Sequence, residues 1–269
     1  MKKFIGICAM AALLIFTGCF DTVEESTINN DGSGVYVSTT DLGKILGMLK
    51  MFAGEKEEMK ELEKMVKDTT IHLRKLKDSL KNLTDAEKKL MDKGTLRILM
   101  NMPDEKFSLN FSFPFTQPSD LIAINSILKK TRQDIMADQL KKFKPGESGT
   151  GAKDKDEENP LLGGMDNDGK SSEIDDYYIY KYEKGKISKK LNKEMHAKIA
   201  DDKSLTTMKE MSQMGMSSTM KTILNLPKPA KKAEGKGVKL SADRKKITID
   251  GTLDDFFEDA TYFEYEIEY

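Results

Sequence analysis

Five methionines, Met208, Met211, Met214, Met216 and Met220, crowd into one short segment. Their thioethers are soft, uncharged ligands that suit Cu(I), or adaptable apolar surface for a greasy ligand. Methionine also fills irregular core space. Met48, Met51, Met59, Met65, Met100 and Met102 spread it along the rest of a chain with 17 Met and no Trp, so packing is the plainer use. The two histidines, His72 and His196, lie on separate segments, His72 between Ile71 and Leu73 and His196 in a Lys-rich stretch. No serine-nucleophile motif, phosphate loop or metal-ligand helix accompanies either, so no catalytic residue is assigned and the chain is not read as an enzyme. Asp166, Asp168, Gly169 and Asp175 fall near calcium-loop offsets. Gly164 occupies the first ligand position, and the last is an Asp where a bidentate Glu belongs. A solvated acidic loop accounts for them better, and no cofactor is expected.

The remaining chemistry is a thiol. Lys2 and Lys3 open the chain, Phe4 to Phe16 is apolar, and Thr17-Gly18 puts small residues before Cys19. That order is a secretory signal ending in a lipobox, cleaved before a cysteine whose thiol is acylated. Phe16 departs from the Leu commonly preferred there. An ordinary secreted chain cut elsewhere, or a buried first helix, would explain the apolar run but not Gly18-Cys19. The run falls well short of the roughly 20 residues a membrane-spanning helix needs. A single acyl chain anchors only marginally and two or more anchor stably. A triacylated Cys19 would therefore fix the protein at a membrane surface. Residues 1–18 are then signal, 19–22 a lipidated tether of at most about 14 Å, and 23–269 a single body.

Composition bounds that body. Without its signal the 269-residue chain keeps roughly 250 residues, enough for one large domain or two small ones. The 44 basic residues include Lys2 and Lys3 and face 45 acidic ones, so the exported part is slightly acidic. No basic block supports nucleic-acid binding. Cys8 leaves with the signal and Cys19 is acylated, which excludes a disulfide and thiol catalysis and leaves stability to an ordinary core.

The elements follow from periodicity. Thr22–Ile28 and Val35–Thr39 read as strands joined by the turn Asn29-Asn30-Asp31-Gly32-Ser33-Gly34. Asp41 can cap a helix carrying Leu42, Ile45, Leu46, Leu49 and Phe52, and a weaker helical stripe runs through Met59, Leu62, Met65 and Val66. Thr69–Leu73 is extended. Arg74–Leu83 and Thr84–Met91 are helical, the latter opened by a Thr84–Glu87 capping box. Leu96, Ile98, Met100 and Met102 alternate with Arg97, Leu99 and Asn101, and Phe107, Leu109, Phe111, Phe113 and Phe115 with Ser108, Asn110, Ser112 and Pro114. Such regular period-two alternation predicts an antiparallel hairpin with one buried face. A helix started by Pro118-Ser119-Asp120, with Leu121, Ile124, Ile127 and Leu128, can cover it and run to about Lys142. Residues 144–173 are rich in Gly, Ser, Asp, Glu and Lys and predict a disordered loop.

Beyond the loop, Tyr177–Tyr182 alternates as a strand, and Ile187–Ile199 is ambiguous with a helical patch from Leu191. Ser204–Met216 is a helix and Met220–Leu226 a strand. Val238–Leu240 and Lys246–Asp250 form a hairpin, Asp254–Asp259 a loop or short helix, and Phe263–Tyr269 a strand. A barrel is rejected, because the strands are too few and the helices too long and polar. The fold class expected is α+β, an antiparallel sheet with helices packed mainly on one face. The last strand is expected to complete the sheet begun by the first hairpin.

Several of these stretches carry a resemblance: Asn30-Asp31-Gly32-Ser33-Gly34, Asp68-Thr69-Thr70, Phe113-Pro114-Phe115, Leu224-Asn225-Leu226-Pro227 and Ser241-Ala242-Asp243. With the closing Glu264–Tyr269 they make the exported chain resemble a Bacteroidota lipoprotein family that carries no known activity. The opening strand, Asp-Gly-Ser-Gly turn, strand and helix is also similar, over about a third of the chain, to mycobacterial LppM-type lipoprotein domains, which implies binding to a lipid or glycolipid. Glu24 and Glu25 resemble the acidic export signals of surface lipoproteins. The expectation is a non-enzymatic cell-envelope lipoprotein of the outer membrane, periplasmic or surface-displayed. Its partners would be the membrane, through the anchor, and a lipid or other apolar ligand. The alternatives are scaffolding of an envelope protein and copper binding through the methionines.

Overall fold

The structure, a computed structural model, describes residues 21–44, 65–77, 80, 82–142, 173–213 and 217–269. These form twelve strands and five α-helices, joined by short 3-10 turns. The first five strands are β1 (Asp21–Ile28), β2 (Gly34–Asp41), β3 (Val66–His72), β4 (Thr95–Asn101) and β5 (Lys106–Phe115). The next four are β6 (Tyr178–Glu183), β7 (Lys186–Leu191), β8 (Thr219–Asn225) and β9 (Lys232–Glu234). The last three are β10 (Val238–Leu240), β11 (Lys246–Thr252) and β12 (Tyr265–Glu268). The helices are α1 (Asp85–Lys93), α2 (Asp120–Lys142), α3 (Lys193–His196), α4 (Lys203–Gln213) and α5 (Leu253–Glu258).

The strands make an eight-stranded sheet, β10-β11-β8-β1-β2-β5-β4-β3, and a four-stranded sheet, β6-β7-β12-β9. Neither closes into a barrel. The α+β class expected from the sequence is the class found. Every pairing is antiparallel except β1 with β8, where Glu24 stands opposite Thr222 and Ser26 opposite Leu224.

Local chemistry explains the best-formed parts. In the β1–β2 turn the Asp31 carboxylate accepts from the Ser33 backbone N–H at 3.0 Å and its hydroxyl at 2.7 Å. Gly32 supplies the φ of +91° that the reversal requires. The β4–β5 hairpin pairs Leu96 with Phe111 and Ile98 with Leu109, so its apolar set shares one face. Leu109, Phe111, Phe113 and Phe115 are buried there, as expected. Thr84 and Glu87 form the capping box that opens α1. Asp120 gathers Thr116 and Gln117 at the start of α2, whose Leu121, Ile124, Ile127 and Leu128 join the same core as the phenylalanines.

Several expectations need correction. The sheet is two sheets, because β12 pairs with β7 and β9 and not with the first hairpin. The strand that does join β1 from the second half is β8. Val66 belongs to edge strand β3 and not to a helix, since its backbone pairs with Asn101 of β4. Leu73 to Leu76 form a 3-10 turn at the start of the helix expected over Arg74–Leu83, of which residues 78, 79 and 81 lie outside the described residues. The ambiguous stretch after Lys186 resolves into strand β7 followed by the short helix α3. The first strand also begins one residue earlier than expected, at Asp21, within the stretch read as tether. The helix expected after Asp41 opens with the Gly43 N–H donating to the Asp41 carboxylate at 2.8 Å, and residues 45–64 lie outside the described residues. So do residues 1–20, Cys19 among them, and 143–172, which hold nearly all of the expected loop.

Candidate functional site

The inward face of the eight-stranded sheet is not uniformly apolar. On β1 the inward residues are Thr22, Glu24, Ser26 and Ile28, in step with Thr40, Ser38, Tyr36 and Gly34 of β2. Across from this face stand Tyr178, Tyr180 and Tyr182 of β6, which share one face by alternation. Between them lies a chamber of about 230 Å³. Its walls are Glu24 of β1, then Asn125, Ser126 and Lys129 of α2, then Glu173, Asp175 and Asp176 around the 3-10 turn Ile174–Tyr177, and Tyr180.

The wall residues are tied to one another. The Tyr180 hydroxyl donates to Asp175 Oδ1 at 2.5 Å. Lys189 of β7, 8 % exposed, donates to the same oxygen at 2.9 Å. Its ammonium stands 4.3 Å from the Tyr178 ring centre and 5.1 Å from that of Tyr180. These are cation–π distances. Lys129 spans both oxygens of Asp176 at 2.6 and 2.5 Å. Tyr180 and Tyr182 stack at 5.8 Å, with planes 9° apart. Tyr182 bonds to Asn125 and Tyr265 bonds to Tyr182, so the phenols form a connected set.

Burial pushes the phenols of Tyr180, Tyr182 and Tyr265 up, and the negative charges of Asp175 and Glu24 push them further. These hydroxyls stay protonated at any physiological pH and act as neutral donors. The wall carries four carboxylates against Lys129 and the adjoining Lys189. No three His, Cys, Asp or Glu side chains among the described residues converge as a metal site. Asp175, which the calcium reading used, is instead engaged by Tyr180 and Lys189.

A second, open cleft of about 500 Å³ lies at the turn end of β1 and β2. Asp31, Thr116, Gln117, Ser119, Tyr182 and Lys184 are among the residues around it, again largely polar.

The residues singled out from the sequence lie on several elements. Met208 of α4 and Met220 of β8 are partly buried and pack against the core. Met211 lies in α4, and Met214 and Met216 lie outside the described residues. His72 is exposed at the end of β3, while His196 is half-buried in α3. The chamber itself escaped the sequence reading. Glu24 had a signal, for it alternates in phase with Ser26 and Ile28. Polar residues on both faces of β1 hide that phase. No helix among the described residues is long and apolar enough to cross a membrane. Comparison with protein-family models, with curated proteins and with solved structures found no match to this chain.

Proposed function

We propose that this chain is a cell-envelope lipoprotein of the outer membrane, held by an acylated Cys19, whose body binds a polar ligand or partner and carries out no catalysis. The observation that carries the reading is the position of β1. This strand lies inside the eight-stranded sheet and begins at Asp21, two positions past Cys19. Two residues reach only about 7 Å. Asp21 is held in turn by the Thr219 hydroxyl and, at 3.3 Å, by Lys44. An acyl anchor at Cys19 would therefore hold the sheet end with Asp21, Asp41 and Thr219 against the headgroups. The turn Asn29–Ser33 and its open cleft would point away, about 26 Å further along β1 at about 3.3 Å per residue.

A ligand that carries polar groups fits the cavities, because charged, amide and hydroxyl side chains line both of them alongside the apolar stems and rings of the same residues. A protein partner has one observation in its favour. Edge strand β3 leaves Val66 66 % exposed, and no strand among the described residues pairs with its outer side. Such an edge can accept a strand from another chain.

The test of anchoring is metabolic labelling with palmitate. Wild type should take up label and sediment with envelopes, and Cys19→Ser should do neither. An unlabelled wild type found in the soluble fraction would overturn the reading.

A further inference from the structure

We propose that the end of the body away from Asp21 binds an anionic polysaccharide through a fixed platform of cations. The platform is assembled from two short segments that the sequence keeps apart. Residues 226–231, following β8, bring Lys228 and Lys231, and residues 244–246, leading into β11, bring Arg244, Lys245 and Lys246. Backbone bonds join the segments: the Leu226 N–H donates to the Lys245 carbonyl at 2.7 Å and the Ala230 N–H to the Arg244 carbonyl at 2.8 Å. The Arg244 guanidinium ties the same seam, donating to the Ala230 carbonyl at 2.8 Å and to that of Lys231 at 3.4 Å. Pro227 and Pro229 bracket Lys228 and fix their own φ angles, while Leu226 and Ala230 are buried on either side. The backbones of the other four cations therefore lie within about 12 Å of Arg244, at about 3.8 Å per residue and one strand spacing.

Such a cluster repels itself, because its separations are comparable to the screening length of about 8 Å in physiological salt. The intervening stretch pairs its own cations: Lys232, Lys236 and Lys239 meet Glu266, Asp259 and Asp250 respectively. The five cations of the platform are all exposed, and none of them makes an ion pair among the described residues. Bordering carboxylates are already engaged. Asp243 takes the Ser241 hydroxyl at 2.6 Å and the Lys245 N–H at 3.1 Å. Glu25 takes the Asn225 amide at 2.6 Å, and Glu268 takes Lys186 at 3.0 Å. Positive charge that is unpaired and held in place suits a partner with many closely spaced negative groups. The class of polyanion follows from the surroundings. No aromatic side chain among the described residues is exposed, so nucleobases have no ring to stack on and a protein partner finds no aromatic anchor. Asn225 stands opposite Thr27 of β1, at the end away from Asp21, so headgroups around the anchor do not reach the platform. A chain of acidic sugars can be held by its charges alone.

The proposal rests on the binding half of the function above, and its failure is separable from failure of the anchoring half. Cys19→Ser should bind as wild type does, and a chain that binds no polysaccharide can still be acylated. The full chain in detergent would be titrated calorimetrically with polygalacturonate, neutral dextran, duplex DNA and polyglutamate. Polygalacturonate should bind saturably, and its affinity should fall by about tenfold or more between about 50 and 200 mM salt. Dextran should not bind, and duplex DNA and polyglutamate should bind more weakly. Lys228→Gln combined with Lys245→Gln and Lys246→Gln should weaken polygalacturonate tenfold or more at an unchanged circular dichroism spectrum. Arg244 stays in place because its guanidinium holds the seam. A charge-matched control, Lys88→Gln with Lys89→Gln and Lys93→Gln on α1 beside β3 and β5, should leave the titration unaltered. Absence of saturable binding, full affinity in the platform variant, or an equal loss in the control overturns the proposal. Tighter binding of DNA or polyglutamate overturns it too, by assigning the platform to a nucleic acid or an acidic protein.

Discussion

The Glu87 carboxylate, 2 % exposed at the start of α1, receives the Lys130 ammonium of α2 at 2.8 and 3.0 Å. It also accepts the Thr84 backbone N–H at 2.6 Å and so closes the capping box. One side chain therefore both starts a helix and fastens it to its neighbour. Removing only one member of a buried pair is the costly change. Lys130→Ala should lower stability by about 3 kcal/mol, read from the urea midpoint. Adding Glu87→Gln to that variant should recover part of the loss, because an amide is cheaper to bury than an unpaired carboxylate. A double variant no better than Lys130→Ala would argue that the pair's charge is irrelevant.

The same carboxylate makes stability depend on acid. Burial alone would raise Glu87, but hydrogen bonds from Lys130, Ser126 and Thr84 outweigh it and hold the group below its usual 4.5. A lowered native value means the unfolded chain binds the proton more readily. The contribution is whole above about 4.5 and is lost as pH falls through the native value. Urea midpoints should decline from about pH 5 downward in wild type, and less steeply in Glu87→Gln.

On the outer face of the four-stranded sheet, Glu266 of β12 takes Lys186 and Lys232, both at 3.1 Å. The two lysines hold its carboxyl down to about 2. Carbon-detected NMR should find Glu266 titrating well below an ordinary glutamate. Because the groups are exposed, 1 M salt should move it back toward 4.5, and Lys186→Met with Lys232→Met should do the same. A titration insensitive to both would mean that something other than these ion pairs lowers it.

Gly34, the first residue of β2, has no room for a side chain. A Cβ there would lie 2.0 Å from the Thr27 carbonyl oxygen and 2.4 Å from Phe115 Cζ. The backbone oxygen cannot swing aside, so Gly34→Ala should pry β1 from β2 and cost about 3 kcal/mol. Gly32→Ala, whose nearest new contact is Pro118 Cδ at 3.5 Å, faces only the penalty of its φ of +91°, about 1 kcal/mol. Thermal melts of the two variants should rank in that order.

Met208 and Met220 pack against the core, so isosteric exchange should be mild. Met208→Leu and Met220→Leu should each cost under about 1.5 kcal/mol. Under anaerobic competition with a Cu(I) chelator the wild type should hold no stoichiometric copper. Copper held by wild type and released in the double variant would restore the soft-metal reading.

What the sequence disclosed was local. The β4–β5 hairpin announces itself because Leu96 through Phe115 alternates with few exceptions, and α1 and α2 because their first turns spell out their caps. What it concealed was partnership. Nothing in Asp21–Ile28 says that β1 lies parallel to Thr219–Asn225, since pairing between distant strands leaves no mark at either one. β12 alternates clearly, yet the strands beside it could not be read from that pattern. The three residues of β9 are too few for any period to appear. The chamber was hidden for a related reason, because Lys189 reads as one more surface lysine until β7 turns it toward Tyr178 and Asp175.

The parallel seam between β1 and β8 also sets a timetable. The Asp21 and Thr219 side chains that meet there are 198 positions apart, and distant pairings of this kind are late and slow to form. As the chain emerges N-terminus first, β1 can zip onto β2 at once but must wait with its other flank bare until β8 follows. A half-made molecule is thus a hairpin with a sticky side, the species most in need of a chaperone.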